Sequence, residues 1–350
     1  MPELTYLQAV VIGLLQGVTE LFPISSLGHS VLVPAWIGGS WQHLVTENAT
    51  GNSEQSPYLA FIVALHVATA LALLTFYRRD WVRIVRALIM TLRTRRIETS
   101  TERLAWLLVI ATVPVGVTGL ALEHTFRTLF AKPVAASVFL TVNGLILLGA
   151  ERLRRRADAQ PATRHALVSV GAAETSADGV KSVGIDTLPG IDTVPPIDTV
   201  READTVPEAV TSDTTANPRR SRRLETLGYR EAGIIGLFQT FALLAGISRS
   251  GITMAAGLLR GLDHEDAAKF SFLLATPVIL AAGVLKLPTL AGSAGAHIHG
   301  QVVAGFLTAG IAAYLSVRFL TRYFTTRTLT PFAVYCLIGG AVSTVWFAAS

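Results

Sequence analysis

Two short polar clusters, one in each half of the chain, contain the residue types that phosphate chemistry needs. The first lies in GLLQGVTELFPISSLGH and carries the carboxylate of Glu20, the hydroxyl of Ser26 and the imidazole of His29. The second lies in AGISRSGIT and carries the guanidinium of Arg249. Phosphoryl transfer needs positive charge for the phosphate oxygens, an in-line nucleophile and a proton acceptor, with little covalent machinery. The two clusters together predict a phosphoryl-transfer site.

The elements that position these clusters must lie in a membrane. The 350 residues are 51% hydrophobic and only 15% charged, with a mean hydropathy of +0.50, which is too apolar for an ordinary water-soluble domain. The net charge of +5 does not indicate nucleic acid, because the basic residues cluster at the ends of apolar stretches. The stretches long enough to cross a bilayer are 59–76, 104–122, 134–150, 270–287, 302–317 and 332–347. We therefore expect an all-α polytopic membrane protein.

An internal repeat divides the chain. GLLQGVTELFPISSLG, from Gly13, aligns without gaps with GLFQTFALLAGISRSG, from Gly236, and the matches include a glutamine and a serine. We expect a first membrane repeat over residues 1–150 and a second over residues 230–350. Between them, residues 151–229 are rich in Asp, Thr and Pro, and predict a disordered cytoplasmic loop with basic ends.

Charge asymmetry predicts the orientation of both repeats. The arginine-rich residues 78–103 should be cytoplasmic, and residues 38–57, which lack Lys and Arg, should be outside. Each motif stretch must then enter and leave the membrane on one side, as a re-entrant hairpin, and the two hairpins have opposite topology. This places both termini and the site on the outer side. Pro23 and Gly28 predict the first helix break between them, and the second hairpin should resume as a helix at Ile252.

Non-helical backbone at membrane depth must be buried in protein or line a wet cavity, so the breaks predict a polar pocket. An arginine inside an apolar hairpin costs roughly 2.5 to 3.5 kcal/mol and is a functional candidate, with an anion as its natural partner. The remaining candidates for substrate binding are Gln16, Ser25, Gly246, Ser248, Ser250, Gly251 and Thr253.

The motifs QGVTELFPISSLGH and AGISRSGIT, in this order and several spans apart, resemble the two signature motifs of the bacterial undecaprenyl-diphosphatase, or bacitracin-resistance, family. The resemblance covers nearly the whole chain apart from residues 156–223. It implies two inverted repeats with re-entrant hairpins and about eight membrane-crossing helices. It also implies hydrolysis of undecaprenyl diphosphate to the monophosphate and inorganic phosphate in the bacterial plasma membrane, which recycles the peptidoglycan lipid carrier and confers bacitracin resistance.

Carried over by position, the resemblance makes Ser26 the nucleophile, His29 a general acid or base, and Arg249 the diphosphate binder. Gln16 and Glu20 occupy the family's acidic motif. Ile62 stands where an acidic residue is expected, which weakens any metal or proton role for its helix.

Several alternatives stay open at this stage. Water could attack in place of Ser26, and Glu20 could act as the base or hold a divalent cation, Mg²⁺ or Ca²⁺. His66 is interpreted as a packed or cavity-lining residue rather than a catalytic one. Expected partners are the polyprenyl diphosphate lipid and the membrane, with a homodimer among the open oligomeric states and no nucleic acid. The rival function is an inverted-repeat transporter of a lipid phosphate or small anion.

Overall fold

The computed structural model describes residues 4–42, 57–130, 132–159, 224–291 and 298–349, and its regular elements there are helices. The α-helices are α1 (Tyr6–Thr19), α2 (Ser26–Ile37), α3 (Pro57–Phe76), α4 (Arg78–Thr94), α5 (Ser100–Phe130), α6 (Pro133–Ala159), α7 (Tyr229–Gln239), α8 (Arg249–Leu259), α9 (His264–Ala291), α10 (His299–Tyr323) and α11 (Thr330–Ala349). Short 3₁₀ turns cover Leu224–Thr226 and Thr240–Leu243.

Five of these helices are long and apolar enough to cross a membrane, namely those of α5, α6, α9, α10 and α11. A sixth candidate is α3, which bends by 86° into α4. The described residues therefore contain five or six crossing helices, against about eight that the resemblance implies. The all-α polytopic membrane fold is confirmed.

The arginine-rich residues 78–103, which were expected to be cytoplasmic, include the amphipathic helix α4. Its Ile84, Ala87 and Thr91 are buried, while its arginines are exposed. A helix of this kind, turned sharply from the preceding span, is typical of one that lies along a membrane surface.

The first motif lies at a break between two short helices, but the break is not where the sequence predicted it. α1 ends at Thr19 and α2 begins at Ser26, so Gly28 is inside a helix instead of ending the break. The reason is Ser25, which adopts a positive φ of 72° and accepts a hydrogen bond from the Gly28 N–H at 3.2 Å, capping α2. Pro23 lies within the break, as expected.

The second motif lies at an equivalent break between α7 and α8. α8 begins at Arg249, three residues earlier than predicted, because the Ser248 hydroxyl accepts the Gly251 N–H at 3.1 Å and caps the helix. The turn before the cap depends on Gly246, whose φ is 110°, a conformation that L side chains rarely adopt.

Each hairpin packs against a long helix of the other half. α1 lies on α10, and a Cβ at Gly13 would overlap the carbonyl oxygen of Gly305. α7 lies on α5, and a Cβ at Gly236 would overlap the carbonyl oxygen of Ala111. Gly13 and Gly236 are aligned positions of the internal repeat, so each half packs on the other through an equivalent glycine. The inverted topology of the two halves stays a prediction.

The described residues up to Arg156 and from Leu224 onward belong to one compact unit. α6 continues to Ala159, so the predicted loop of residues 151–229 begins with a helical segment, and at its other end Leu224 is buried. The rest of that predicted loop, residues 160–223, lies outside the described residues.

Candidate active site

The two helix breaks are in direct contact. A Cβ at Gly28 would come within 3.0 Å of the Gly246 Cα, and one at Gly251 within 3.2 Å of the Pro23 carbonyl oxygen. Gly28 and Gly251 are aligned positions of the repeat, so each hairpin needs a glycine where the other hairpin's break passes. This contact brings the two motifs, more than two hundred residues apart in sequence, into one site.

Asn143 of α6 bonds to both breaks at once. Its side-chain amide donates to the Pro23 carbonyl at 3.1 Å, and its carbonyl oxygen accepts the Ser248 N–H at 3.0 Å. Asn143 is fully buried. One side chain therefore satisfies a backbone group in each hairpin and fixes their separation.

Glu20 is the centre of a buried polar network. The side-chain amide of Gln16 donates to its Oε2 at 3.0 Å, and the Ser26 hydroxyl donates to the same oxygen. The Nε2 of His66 lies 3.4 Å from this oxygen. Because Glu20 is only 7% exposed and Ser26 only 9%, the hydroxyl and its acceptor are shielded from bulk water. A carboxylate bonded to a serine hydroxyl in this way can act as the base that activates the serine.

His66 is a member of the site that the sequence interpretation left out. Its Nδ1–H donates to the Ile62 carbonyl at 2.8 Å, so Nε2 attracts the Glu20 carboxylate only when it is protonated as well. An ionisable side chain within an apolar span was the signal that could have marked it as functional. Ile62 takes part through its backbone, and its side chain is buried.

Arg249 lies close to Glu20 but does not form a hydrogen bond with it. Its Nη1 lies 4.0 Å from the Glu20 Oε1, at the outer limit of an ion pair and too far for a hydrogen bond. That Nη1 is buried and has no hydrogen-bond partner among the described residues. The Arg249 side chain is 24% exposed, and a guanidinium with an unused buried donor can bind an anion.

Two helix N-termini meet at this point. Ser26 is the first residue of α2, and Arg249 is the first residue of α8. These are aligned positions of the repeat. The N-terminus of a helix carries partial positive charge and binds phosphate readily, so a pair of them suits a ligand with two phosphate groups.

Both ring nitrogens of His29 bond to groups other than the Ser26 hydroxyl. Its Nδ1 donates to the Ser25 carbonyl at 2.7 Å, and its Nε2 lies 2.8 Å from the hydroxyl of Tyr335 on α11. With Nδ1 protonated, a neutral imidazole accepts the Tyr335 hydroxyl at Nε2. These bonds favour Glu20 over His29 as the acceptor of the Ser26 proton, and the catalytic role of His29 stays a prediction.

Several predicted substrate-binding hydroxyls bond to protein groups. Ser25 and Ser248 cap helices, and the Ser250 hydroxyl lies 3.0 Å from that of Ser248. Thr253 donates to the Arg249 carbonyl at 2.7 Å or shares a 2.6 Å contact with Ser271. Gly246 and Gly251 permit the turn and the close approach described above. In this structure these residues cap helices, bond to neighbouring groups or permit the close approach of the two breaks, and their contact with substrate stays a prediction.

The oxygen atoms near Glu20 fit a divalent cation of the kind expected. The Oε1 of Gln16 is buried and lacks a hydrogen-bond partner in the described structure, and it sits on the side chain that bonds to Glu20. Mg²⁺ and Ca²⁺ take oxygen ligands, and Mg²⁺ often uses one carboxylate with water and substrate phosphate. The described ranges hold no cluster of three or more His, Cys, Asp or Glu side chains suited to a metal, so substrate oxygens would have to complete the shell.

These features define a polytopic membrane protein in which two helix breaks bring together a buried carboxylate, a serine and an arginine. The chain belongs to the family described as bacitracin resistance protein BacA, whose match covers residues 9–180 and 207–342. It is 67% identical to undecaprenyl-diphosphatase 2 of Frankia alni, over 99% of both chains. It is 51% identical to the undecaprenyl-diphosphatase of Mycolicibacterium paratuberculosis, over 99% of this chain and 98% of the relative.

Proposed function

We propose that this protein hydrolyses undecaprenyl diphosphate to undecaprenyl phosphate and inorganic phosphate. Relatives that match it over nearly their full length carry the name undecaprenyl-diphosphatase. The observation in the site that carries the proposal is the buried Nη1 of Arg249, which has no hydrogen-bond partner among the described residues, beside the Glu20 and Ser26 pair. In this role the enzyme returns the lipid carrier to peptidoglycan synthesis, in keeping with the bacitracin resistance for which the family is named.

In the proposed mechanism, Arg249 and the N-termini of α2 and α8 bind the diphosphate. The phosphate oxygens accept hydrogen bonds from the guanidinium, and the helix ends contribute partial positive charge. Because these donors are held at the contact between the two helix breaks before substrate arrives, they stabilise the developing charge of the transition state without reorganising.

The chemical step uses the hydrogen bond between Ser26 and Glu20. The Ser26 oxygen attacks the terminal phosphorus while its proton passes to Glu20, and the bond from that phosphorus to the bridging oxygen breaks. Undecaprenyl phosphate leaves with the bridging oxygen. Water then hydrolyses the phosphoserine, and the serine regains its proton. His66, whose Nε2 lies 3.4 Å from the Glu20 Oε2, packs beside the carboxylate and helps to keep it in place.

A divalent cation, Mg²⁺ or Ca²⁺, is proposed at Glu20 and the Oε1 of Gln16. When bound, it would neutralise charge on the diphosphate. Chelation should therefore lower phosphate release, and the added cation should restore it. Full activity after exhaustive chelation would remove the cation from the proposal and leave the roles of Ser26 and Arg249 in place.

Replacing Arg249 tests the proposed function directly. Arg249→Ala should lower phosphate release from undecaprenyl diphosphate by about a hundredfold or more, the usual loss when a donor to the transition state is removed. The matched control is Arg260→Ala, which removes an arginine at the opposite end of α8. The assay is inorganic phosphate release by purified full-length protein in detergent, with thermal unfolding as the check on folding. Normal activity in Arg249→Ala would contradict the mechanism.

Ser26→Ala separates hydrolysis from transport. A carrier of a lipid phosphate needs the arginine but has no use for a hydroxyl bonded to a carboxylate. We expect this variant to lose phosphate release. Both proteins are quenched during turnover and analysed in parallel, and only the normal protein should contain phosphoserine.

The site is proposed to open toward the outer side of the membrane, on the basis of loop charges. Ser40 and Thr94 are both exposed, and they should lie on opposite sides. The single native cysteine, Cys336, is buried, so it gives little background in a labelling experiment. An impermeant thiol reagent applied to intact cells should label Ser40→Cys and leave Thr94→Cys unlabelled; the reverse pattern would invert the orientation.

A further inference from the structure

A basic cleft lies at the C-terminal end of α10, outside the site described above. It has a volume of about 440 Å³, and its lining includes Arg318, Arg322 and Arg327 together with the rings of Phe319 and Tyr323. We call it the arginine cleft. The three arginines are exposed, and the ion pairs of the described residues are formed by other cations. The cleft therefore combines uncompensated positive charge with apolar walls.

The backbone around the cleft is held in place. The Tyr323 hydroxyl donates to the Thr328 carbonyl at 3.3 Å, and the Arg327 N–H donates to the Tyr323 carbonyl at 3.0 Å. The buried carboxylate behind this turn, Glu151, is already bonded to His264 at 2.6 Å and to the Leu329 N–H at 2.7 Å. Its side-chain bonds are therefore made to these two groups, and it forms no ion pair with the arginines of the cleft.

An apolar groove continues from the cleft along the protein surface. This groove runs between α3 and α10, has a volume of about 360 Å³, and shares Leu315 with the cleft. Gly310 lies on its floor, and Leu307 and Ile311 on its exposed wall. From Phe306 in the groove to Arg322 in the cleft is sixteen residues of helix, or roughly 24 Å. The cleft and the groove together form an apolar surface groove with arginines at one end.

We propose that the arginine cleft binds the headgroup of an anionic glycerophospholipid and that the groove holds one of its acyl chains. Basic pockets at the ends of membrane helices bind such headgroups, and arginine bonds to phosphate oxygens through its planar fork. A soluble phosphate would make no use of the groove, and a zwitterionic headgroup would bring a cation of its own next to the arginines. This binding does not depend on the proposed catalytic activity.

The cleft adjoins the active-site loop through one aromatic contact. Phe319 stacks on Phe22 with ring centroids 5.9 Å apart and planes 4° apart, and Phe22 lies two residues after Glu20 in the first helix break. A lipid that packs against Phe319 therefore also supports the loop that carries Glu20.

The test is lipid binding by full-length protein in detergent, resolved by native mass spectrometry. The probes are dioleoyl phosphatidylglycerol, dioleoyl phosphatidylcholine and inorganic phosphate. We expect the first to bind at least tenfold more tightly than the second. Replacing all three cleft arginines with glutamine should weaken phosphatidylglycerol binding roughly a hundredfold, given the usual contribution of each basic residue. Equal binding of the two lipids would overturn the proposal, as would displacement of phosphatidylglycerol by millimolar phosphate.

Two further variants control this test. Replacing Arg83, Arg86 and Arg93 of α4 with glutamine removes the same charge from another exposed surface, and should change the affinity less than about threefold because exposed, distant charges are screened. Equal losses of affinity in the two triple variants would mean that the lipid is held by nonspecific attraction, and would refute the proposed cleft site.

Gly310→Leu fills the groove, where a Cβ would meet only ordinary contacts with Ala68 near 3.8 Å. This variant should bind dioleoyl phosphatidylglycerol several-fold more weakly. Unchanged binding would show that the acyl chain does not lie in the groove.

Discussion

The bond of Asn143 to both helix breaks gives a prediction whose size can be worked out. Asn143→Ala leaves the Pro23 carbonyl and the Ser248 N–H buried without their partner. A buried backbone group that loses its hydrogen bond costs about 1 to 3 kcal/mol, so the two together should cost about 2 to 6 kcal/mol. Because one group belongs to each hairpin, part of this cost should appear as a looser separation between Glu20 and Arg249 rather than as unfolding.

The assay for Asn143→Ala combines thermal unfolding in detergent with phosphate release. We expect a lower Tm and a fall in kcat of more than tenfold, since positioning errors near 1 Å can cost about a hundredfold in rate. The matched control is Thr69→Val, which removes a fully buried hydroxyl that bonds only within its own helix, to Leu65. If Asn143→Ala kept normal Tm and kcat, or lost no more than the control, the idea that this side chain sets the geometry of the site would be refuted.

Two other predictions address the shape of the pocket. Gly246→Ala should cost at least about 2 kcal/mol in free energy of unfolding and abolish phosphate release, because φ is 110° and the new Cβ would overlap the Ala136 carbonyl. Gly149→Ala, in a helix with open space around it, should be neutral or stabilising by up to about 1 kcal/mol, and equal thermal unfolding of the two variants would contradict this account. Tyr335→Phe removes the hydroxyl bonded to His29 and should lower the free energy of unfolding by about 0.5 to 1.5 kcal/mol, the usual worth of one hydrogen bond, and lower kcat because the imidazole loses its orientation; unchanged kcat would mean that the imidazole needs no support from α11.

The sequence predicted the features that depend on local chemistry. Apolar length gave the spans, the polar interruptions gave two broken hairpins, and the cost of burying a charge in a membrane singled out Arg249. The exact break was missed because Ser25 takes a positive φ that a non-glycine residue rarely adopts, so that Gly28 appeared to be the residue that ends the helix.

The contacts between distant elements were not predictable from one sequence. Asn143 sits in an apolar stretch of α6, and only the packing of that helix against both breaks reveals its two bonds. His66 was interpreted without an acidic neighbour, since Glu20 is forty-six positions away along the chain. Its approach to 3.4 Å depends on how α3 packs beside the first hairpin. Tyr335 likewise reaches His29 only through the position of α11.

The contact between Gly28 and Gly246 also imposes an order of events during biosynthesis. At about 5 to 20 residues per second, the ribosome needs roughly 10 to 45 seconds to proceed from Glu20 to Arg249. For that interval the first hairpin lacks the second break, against which Gly28 packs, although non-helical backbone at membrane depth must be buried in protein or line a wet cavity. The nascent first half must therefore be sheltered by the insertion machinery or kept near the membrane surface until the second hairpin arrives. The catalytic centre forms only in the last third of synthesis.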